Sequence, residues 1–401
     1  MHRWKTIVSP TLLVCLWFVV ATSVVSASEI VGRWDLTIGT PPEARPSWLE
    51  IRLHESKYVA RFVGPIGGVS EIGALRFDGS SINFQADNHK WTGILTGDTL
   101  SGTRISENGA QSQWIGHRFV PPVSLTGNWR IKVAGVTGNH PHALEITRHD
   151  KEITGTLREH NRTIPIAEAS VNEGWFTFTV VAPTGKRTYC ARVRGDMLEG
   201  LLMDNHVRHE FTAHRQREWA EPIELFNAKN LDGWKPLRDC GRVGWQVVDG
   251  VMTTPGGEGS CNLVTENVFM DFRLHVEFKI PQGGNSGIYL RGRYEIQVYD
   301  NNAPIPGTWF TPANTCGSLY NRIPPNVDAA KKHDEWQTFD IKLIGSYVTV
   351  VHNGEVIIDN EEVEGITGGA IDSNENGPGP IYLQGDHTRV YYRKVTLTPA
   401  K

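Results

Sequence analysis

The stretch NSGIYLRGRYEIQVYD, residues 285–300, decides the fold of the region around it. Two β-type runs flank a Gly-containing connection, and polar side chains recur at a spacing of two, the period of a strand and not of a helix. Register decides which side chains share a face, because a slip of one residue moves every side chain across the sheet. A two-residue loop at Gly292-Arg293 sets Glu295 beside Leu290 and Gln297 beside Ile288, mixing charge into an apolar face. A three-residue loop, Arg291 to Arg293, sorts them instead. Asn285, Gly287, Tyr289, Glu295, Gln297 and Tyr299 then share one face, and Ile288, Leu290, Tyr294, Ile296 and Val298 share the other. The second register is preferred, although Gly falls in the middle of the loop where such hairpins usually want it last.

Outward from this hairpin the signals stay those of strands. The chain has 401 residues, 39% of them hydrophobic, 41 Gly and 13 Trp. It shows no long apolar stripe of helical period, which argues for an all-β protein. An internal repeat precedes the hairpin. Gly32-Arg33-Trp34 recurs as Gly127-Asn128-Trp129, Leu49-Glu50-Ile51 as Leu144-Glu145-Ile146, Gly97-Asp98-Thr99-Leu100 as Gly195-Asp196-Met197-Leu198, and Trp114 to Arg118 as Phe211 to Arg215, at offsets of 95 to 98. The resulting division is a signal at 1–27, a first β-rich unit at 28–122, a second at 123–219, and a carboxy-terminal domain at 220–401. The two units are expected to form small barrels or one sandwich. They offer little chemistry: His140, His142, His206 and His209 have no recognised ligand spacing. This half reads as a spacer, docking or carbohydrate-binding region.

Arg3 and Lys5, an apolar run from about Thr11 to Val20, and Val25-Ser26-Ala27 form an export signal with a small-residue cleavage site. The expected location is secreted or periplasmic. The run is too short for a membrane span, which needs about twenty residues. Losing two basic residues takes the formal charge from −4 to −6, giving no electrostatic reason to expect nucleic acid as a partner. Four cysteines follow the signal, none in a CxxC metal spacing; Cys240 and Cys261 flank a short strand signal at 244–248 and are the expected bridge.

From Ile223 onward the motifs change: Leu225-Phe226-Asn227, Gly233-Trp234, Trp245 to Gly250, Leu263-Val264-Thr265, Asp271 to Leu274, the hairpin itself, Cys316 to Tyr320, Glu335-Trp336-Gln337, His352-Asn353-Gly354, and Gly379 to Gln384. In this order, over about Glu221 to Pro399, they resemble the 3-keto-disaccharide hydrolase family. The resemblance implies a concanavalin A-like jelly-roll sandwich with its ligand on the concave sheet. The chain departs from the family pattern at Arg393-Lys394-Val395, and at Asp386-His387, where the His stands one place late.

The residues themselves suit a sugar. Tyr289, Tyr299, Trp309 and Trp336 offer flat apolar surfaces, and Asn285, Gln297 and Gln384 carry both donors and acceptors. Asp300, at the hairpin's end, joins them as a substrate-binding candidate. The strand shows one clear carboxylate, not the ExDxxE arrangement of family 16 glucanases. Ordinary glycoside hydrolysis needs two carboxylates across the scissile bond. The resemblance implies an enzyme that cleaves 3-keto-glycosides, expected to act by elimination next to the keto group, and the lack of a second strand carboxylate favours that chemistry. Glu295 is its base, Arg291 or a bound divalent cation stabilises the enediolate, and Gln297, Gln384 and His387 hold or protonate the sugar. No metal-ligand set is read from the residues. Asp372 to Gly377 begins like an EF-hand loop but has Leu383 where the bidentate Glu belongs. The alternative is a lectin-like module without turnover.

Overall fold

Alternation in the sequence becomes alternation in space. In the strand Phe272–Lys279, Phe272, Leu274, Val276 and Phe278 are buried while Arg273, His275, Glu277 and Lys279 point outward, as a strand with one solvated face requires. This computed structural model describes residues 29–401 except 122, 136–141, 150–151, 160, 173, 239, 241–243, 258–259 and 304–310. The export signal, His140 and Trp309 lie outside the described residues. Among those described, no helix is long and apolar enough to cross a membrane.

The protein is all-β. Strands Gly32–Ile38 to Gln111–Phe119 form a nine-stranded antiparallel sheet, and strands Gly127–Val133 to Val207–Arg215 close an eight-stranded barrel. Both are meanders in which sequential strands are mostly neighbours. The repeat seen in the sequence has physical counterparts. Trp34 pairs with Leu49 and Trp129 with Leu144 in register. The Trp34 indole N–H donates to Ile30 O (3.0 Å), and that of Trp129 donates to Leu125 O (2.9 Å). Arg118 lies 4.3 Å over the Trp34 ring, and Arg215 lies 4.5 Å over that of Trp129. A buried indole needs a partner for its N–H, and its π face attracts the guanidinium.

Residues 30–124, 194–196 and 216–401 pack into one compact unit, and residues 125–193 with 197–215 into another. Within the former, the carboxy-terminal part is a two-sheet jelly roll. One sheet has eight strands, including Phe272–Lys279, Gln337–Ile344 and Thr388–Pro399; the other has five, in the order Trp234–Pro236, Leu263–Thr265, Tyr382–Leu383, Asn285–Leu290, Tyr294–Tyr299. Ile288, Leu290, Tyr294, Ile296 and Val298 enter the core between the sheets beside Leu274, Val276, Phe339 and Val395. Truncating one such fully buried Leu or Ile to Ala costs about 2–5 kcal/mol. Tyr289 and Tyr382 lie on the opposite face of the five-stranded sheet, clustered with Val264.

The strand Tyr294–Tyr299 ends that sheet, but its outer edge is covered. Gln297 N–H donates to Ser318 O (3.0 Å), Gly317 N–H to Gln297 O (2.8 Å), and Tyr320 N–H to Glu295 O (2.9 Å). Cys240 and Cys261 are disulfide-bonded around the hairpin of Gln246–Val248 and Val251–Gly256, as the sequence suggested.

Candidate active site

The hairpin takes the three-residue loop. Asn285 opposes Tyr299, Gly287 opposes Gln297, and Tyr289 opposes Glu295. Arg291 and Gly292 both adopt positive φ, +52° and +67°, and Arg293 N–H closes the turn on Leu290 O at 3.0 Å. Two successive left-handed residues make the tight turn, which is why Gly is accepted in the middle.

On the outer face of the five-stranded sheet Glu295 is 4% exposed. The Tyr289 hydroxyl donates to its Oε2 (2.9 Å) and lies 2.9 Å from Gly368 O, while the Tyr289 ring stacks on Tyr382 at 4.1 Å. With its amide oriented to satisfy its surroundings, Gln297 donates to Glu295 Oε1 and Ser286 O, 3.3 Å each. Behind the carboxylate, Glu295 N–H donates to Thr367 Oγ1 (3.0 Å), whose hydroxyl donates to Arg293 O (3.1 Å). A Cβ at Gly287 would overlap the Glu295 carboxylate, so the side chain can lie across the strand only because residue 287 has none.

Burial pushes the Glu295 carboxyl up to about 8, against the lowering influence of the Tyr289 hydroxyl and of His387. A desolvated carboxyl resists ionisation. His387 is half-exposed; its Nδ1 lies 2.8 Å from Asp386 Oδ1, and that hydrogen bond raises its pKa against the effect of burial. Asn262 donates to the other Asp386 oxygen at 2.9 Å. Burial would raise Asp386, but the bonds from His387 and Asn262 hold it below its ordinary value. A carboxyl raised by burial and a histidine raised by its carboxylate partner thus lie within electrostatic reach of one another, the kind of perturbed pair that marks acid–base sites.

The structure therefore gathers Asn285, Tyr289, Glu295 and Gln297 on one face, sets Gln384 beside Gly287 through its N–H to Gly287 O (2.9 Å), and brings His387 within electrostatic reach of Glu295. It does not bring the others. Arg291 is 1% exposed and donates to Met270 O (2.7 Å) and Gly345 O (2.8 Å), with Asp271 at 3.3 Å; the turn carries its guanidinium to the end of the sandwich, away from Glu295. Tyr299 joins the core between the sheets. Asp300 accepts from Gly283 N–H and Asn302 N–H (3.0 Å each), fixing the chain beyond the strand. Trp336 lies under Lys279 and Arg393, both on strands of the eight-stranded sheet. Asp372 of the EF-hand-like loop pairs with Arg293 at 2.6 Å. Among the described residues no group of three or more His, Cys, Asp or Glu side chains could hold a metal ion.

Gly287, Thr367, Gly368 and Tyr382 were not foreseen as site residues. Tyr382 stood inside a recognised motif, and its alternation with Leu383 could have placed it outward. Thr367 and Gly368 lie in a loop without periodicity, and no sequence signal points to them.

A jelly roll with one buried, proton-retaining carboxylate on the face of its smaller sheet is the class of protein defined here. Residues 221–398 match the family described as 3-keto-alpha-glucoside-1,2-lyase-like domain, and the carboxy-terminal domain belongs to it. A 3-keto-disaccharide hydrolase of Bacteroides thetaiotaomicron is 26% identical over 167 residues, covering 34% of this chain and 57% of the relative. The chain thus spans little more than half of that curated relative's length. Two solved structures of proposed glycosyl hydrolases from Parabacteroides distasonis are 27% and 25% identical; each match covers 44% of this chain, with 83% and 98% of the other and TM-scores of 0.38 and 0.36.

Proposed function

We propose that the protein cleaves 3-keto-glycosides, with Glu295 as the general base. The observation that carries this reading is a single buried carboxyl on the sheet face, pushed up to about 8 by burial and hydrogen-bonded to Tyr289, while the nearby Asp386 is occupied by His387 and Asn262. A base that holds its proton tightly is suited to abstracting one from carbon. The keto group at C3 acidifies the hydrogen on C2. Glu295 removes that proton, the electron pair passes into the C3 carbonyl as an enolate, and its collapse forms C1=C2 and breaks the bond from C1 to the glycosidic oxygen. His387, whose pKa Asp386 raises, gives the leaving oxygen its proton. Water then adds at C1, the Glu295 proton returns to C2, and the water's remaining proton restores His387. Gln297, Asn285 and Gln384 hold sugar hydroxyls, and the Tyr289–Tyr382 stack forms the floor. The family of the carboxy-terminal domain and the curated relative's name support the substrate class.

We also propose that the protein works outside the cytoplasm, on the strength of the export signal read at residues 1–27; the Cys240–Cys261 bridge supports this, since disulfides persist in oxidising compartments. The decisive assay offers matched 3-keto-glucosides and unoxidised glucosides and follows released aglycone. Cleavage of the keto form alone supports elimination. Equal cleavage of both would require a second catalytic carboxylate. Binding of either without turnover would establish the lectin-like module.

A further inference from the structure

The segment 364–370 touches the site on one side and the nine-stranded meander on the other. Toward the site, Thr367 Oγ1 receives Glu295 N–H and Gly368 O lies 2.9 Å from the Tyr289 hydroxyl. Toward the meander, Ile366 and Ala370 form a buried cluster with Trp48 and Val63. Gly369 N–H donates to Pro65 O at 3.1 Å. The Arg322 guanidinium lies 4.4 Å over the Trp48 ring and donates to Glu364 O (2.6 Å) and Ile366 O (3.0 Å). Around this contact Arg61 and Arg52 pair with Glu364 at 2.5 and 3.2 Å, and Arg33 pairs with Glu362 at 2.8 Å.

These contacts are not a requirement of the meander fold. By register, Arg33, Asp35 and Trp48 of the nine-stranded sheet correspond to Asn128, Arg130 and Ala143 of the closed barrel, and those three are exposed. Trp34 and Trp129, which serve the fold, are the same residue in both. The docking side chains are peculiar to the first copy.

We infer that the first meander is a working part of the active site, with Trp48 a positioning residue for the Glu295–Tyr289 pair, acting through Arg322 and Ile366. The inference rests on the reading of Glu295 as base. Trp48 is wholly buried and is walled by Ile366 and Arg322. Removing the indole leaves a void against the segment that holds both Glu295 N–H and the Tyr289 hydroxyl. Displacing a reacting group by about 1 Å can cost about 10²-fold in rate. Water entering the loosened site would also relieve the desolvation that keeps the Glu295 carboxyl protonated.

The test compares Trp48→Ala, Trp48→Phe and Glu295→Gln in the full chain, measuring aglycone release from a 3-keto-glucoside across pH, and amide exchange of residues 364–370 by mass spectrometry. Trp48→Ala is expected to lower kcat by about 10- to 100-fold with KM within about threefold, to move the acidic limb of kcat/KM to lower pH, and to speed exchange in 364–370. Trp48→Phe restores most of each. Should Trp48→Ala fail to fold, Arg322→Lys, which keeps the charge but cannot span both carbonyls, is read the same way. A folded variant with native kcat and an unmoved limb overturns the inference, provided Glu295→Gln is inactive. If Glu295→Gln retains turnover, the base assignment falls instead, while the exchange rates still report whether the meander holds the loop.

Discussion

A methyl group at Gly287 would occupy the space in which the Glu295 carboxylate lies, so Gly287→Ala must turn that side chain off the sheet. We expect a folded protein whose kcat falls by about 10²-fold or more, the scale of a misplaced catalytic group; circular dichroism and kcat together check this. Glu295→Gln keeps the shape and a hydrogen bond to Tyr289 but cannot take a proton. It should lose about 10²- to 10⁴-fold in kcat while sugar binding, measured by calorimetry, persists. The pH profile follows from the same residue. The active base is ionised, and burial holds its proton to about pH 8, so kcat/KM should fall about tenfold per pH unit below that limb. His387 must stay protonated, and its pairing with Asp386 raises its pKa. His387→Gln should therefore reduce the decline on the alkaline side and, because it removes a charge that helps lower the Glu295 pKa, move the acidic limb to higher pH.

At the scale of the hairpin, the turn determines what the strands cannot. Arg291 satisfies the carbonyls of Met270 and Gly345, and each buried acceptor left unpaired costs about 1–3 kcal/mol. Arg291→Ala should therefore lower the denaturation midpoint by the equivalent of a few kcal/mol yet leave kcat near native, the reverse of the Glu295→Gln outcome. The register and the inward set Ile288, Leu290, Ile296 and Val298 were legible in the sequence, because burying an unpaired Glu among apolar side chains is too costly for any other arrangement. Parity stopped being informative at the strand ends. There the turn carries Arg291 to backbone carbonyls, Tyr299 enters the core, and Asp300 caps a neighbouring loop. Thr367 and Gly368 were illegible for a different reason: an irregular loop has no period to read, and its place was fixed by partners more than 70 residues away.

Over the whole chain, the repeat was legible from Gly-x-Trp and its companions because the residues that build each meander recur. Its consequence was not, because Trp48 and Asp35 have no counterpart of like kind in the second copy. Asp35 faces Glu375 of the jelly roll; burial, then the Glu375 charge, pushes Asp35 up to about 9 while Arg293 opposes. A carboxyl raised in the folded state stabilises it fully below the unfolded value near 3.8 and loses that contribution as pH climbs toward about 9. Asp35→Asn should thus melt near the wild type at pH 4 and progressively above it as pH rises, in parallel thermal scans. The covering of the strand Tyr294–Tyr299 by Gly317, Ser318 and Tyr320 has a bearing beyond one molecule. An unpaired sheet edge is a template for another chain, and here that template is already taken. Crowded copies of the protein cannot zip together through the strand that carries Glu295, so the site stays clear of fibre-like assembly in concentrated solution.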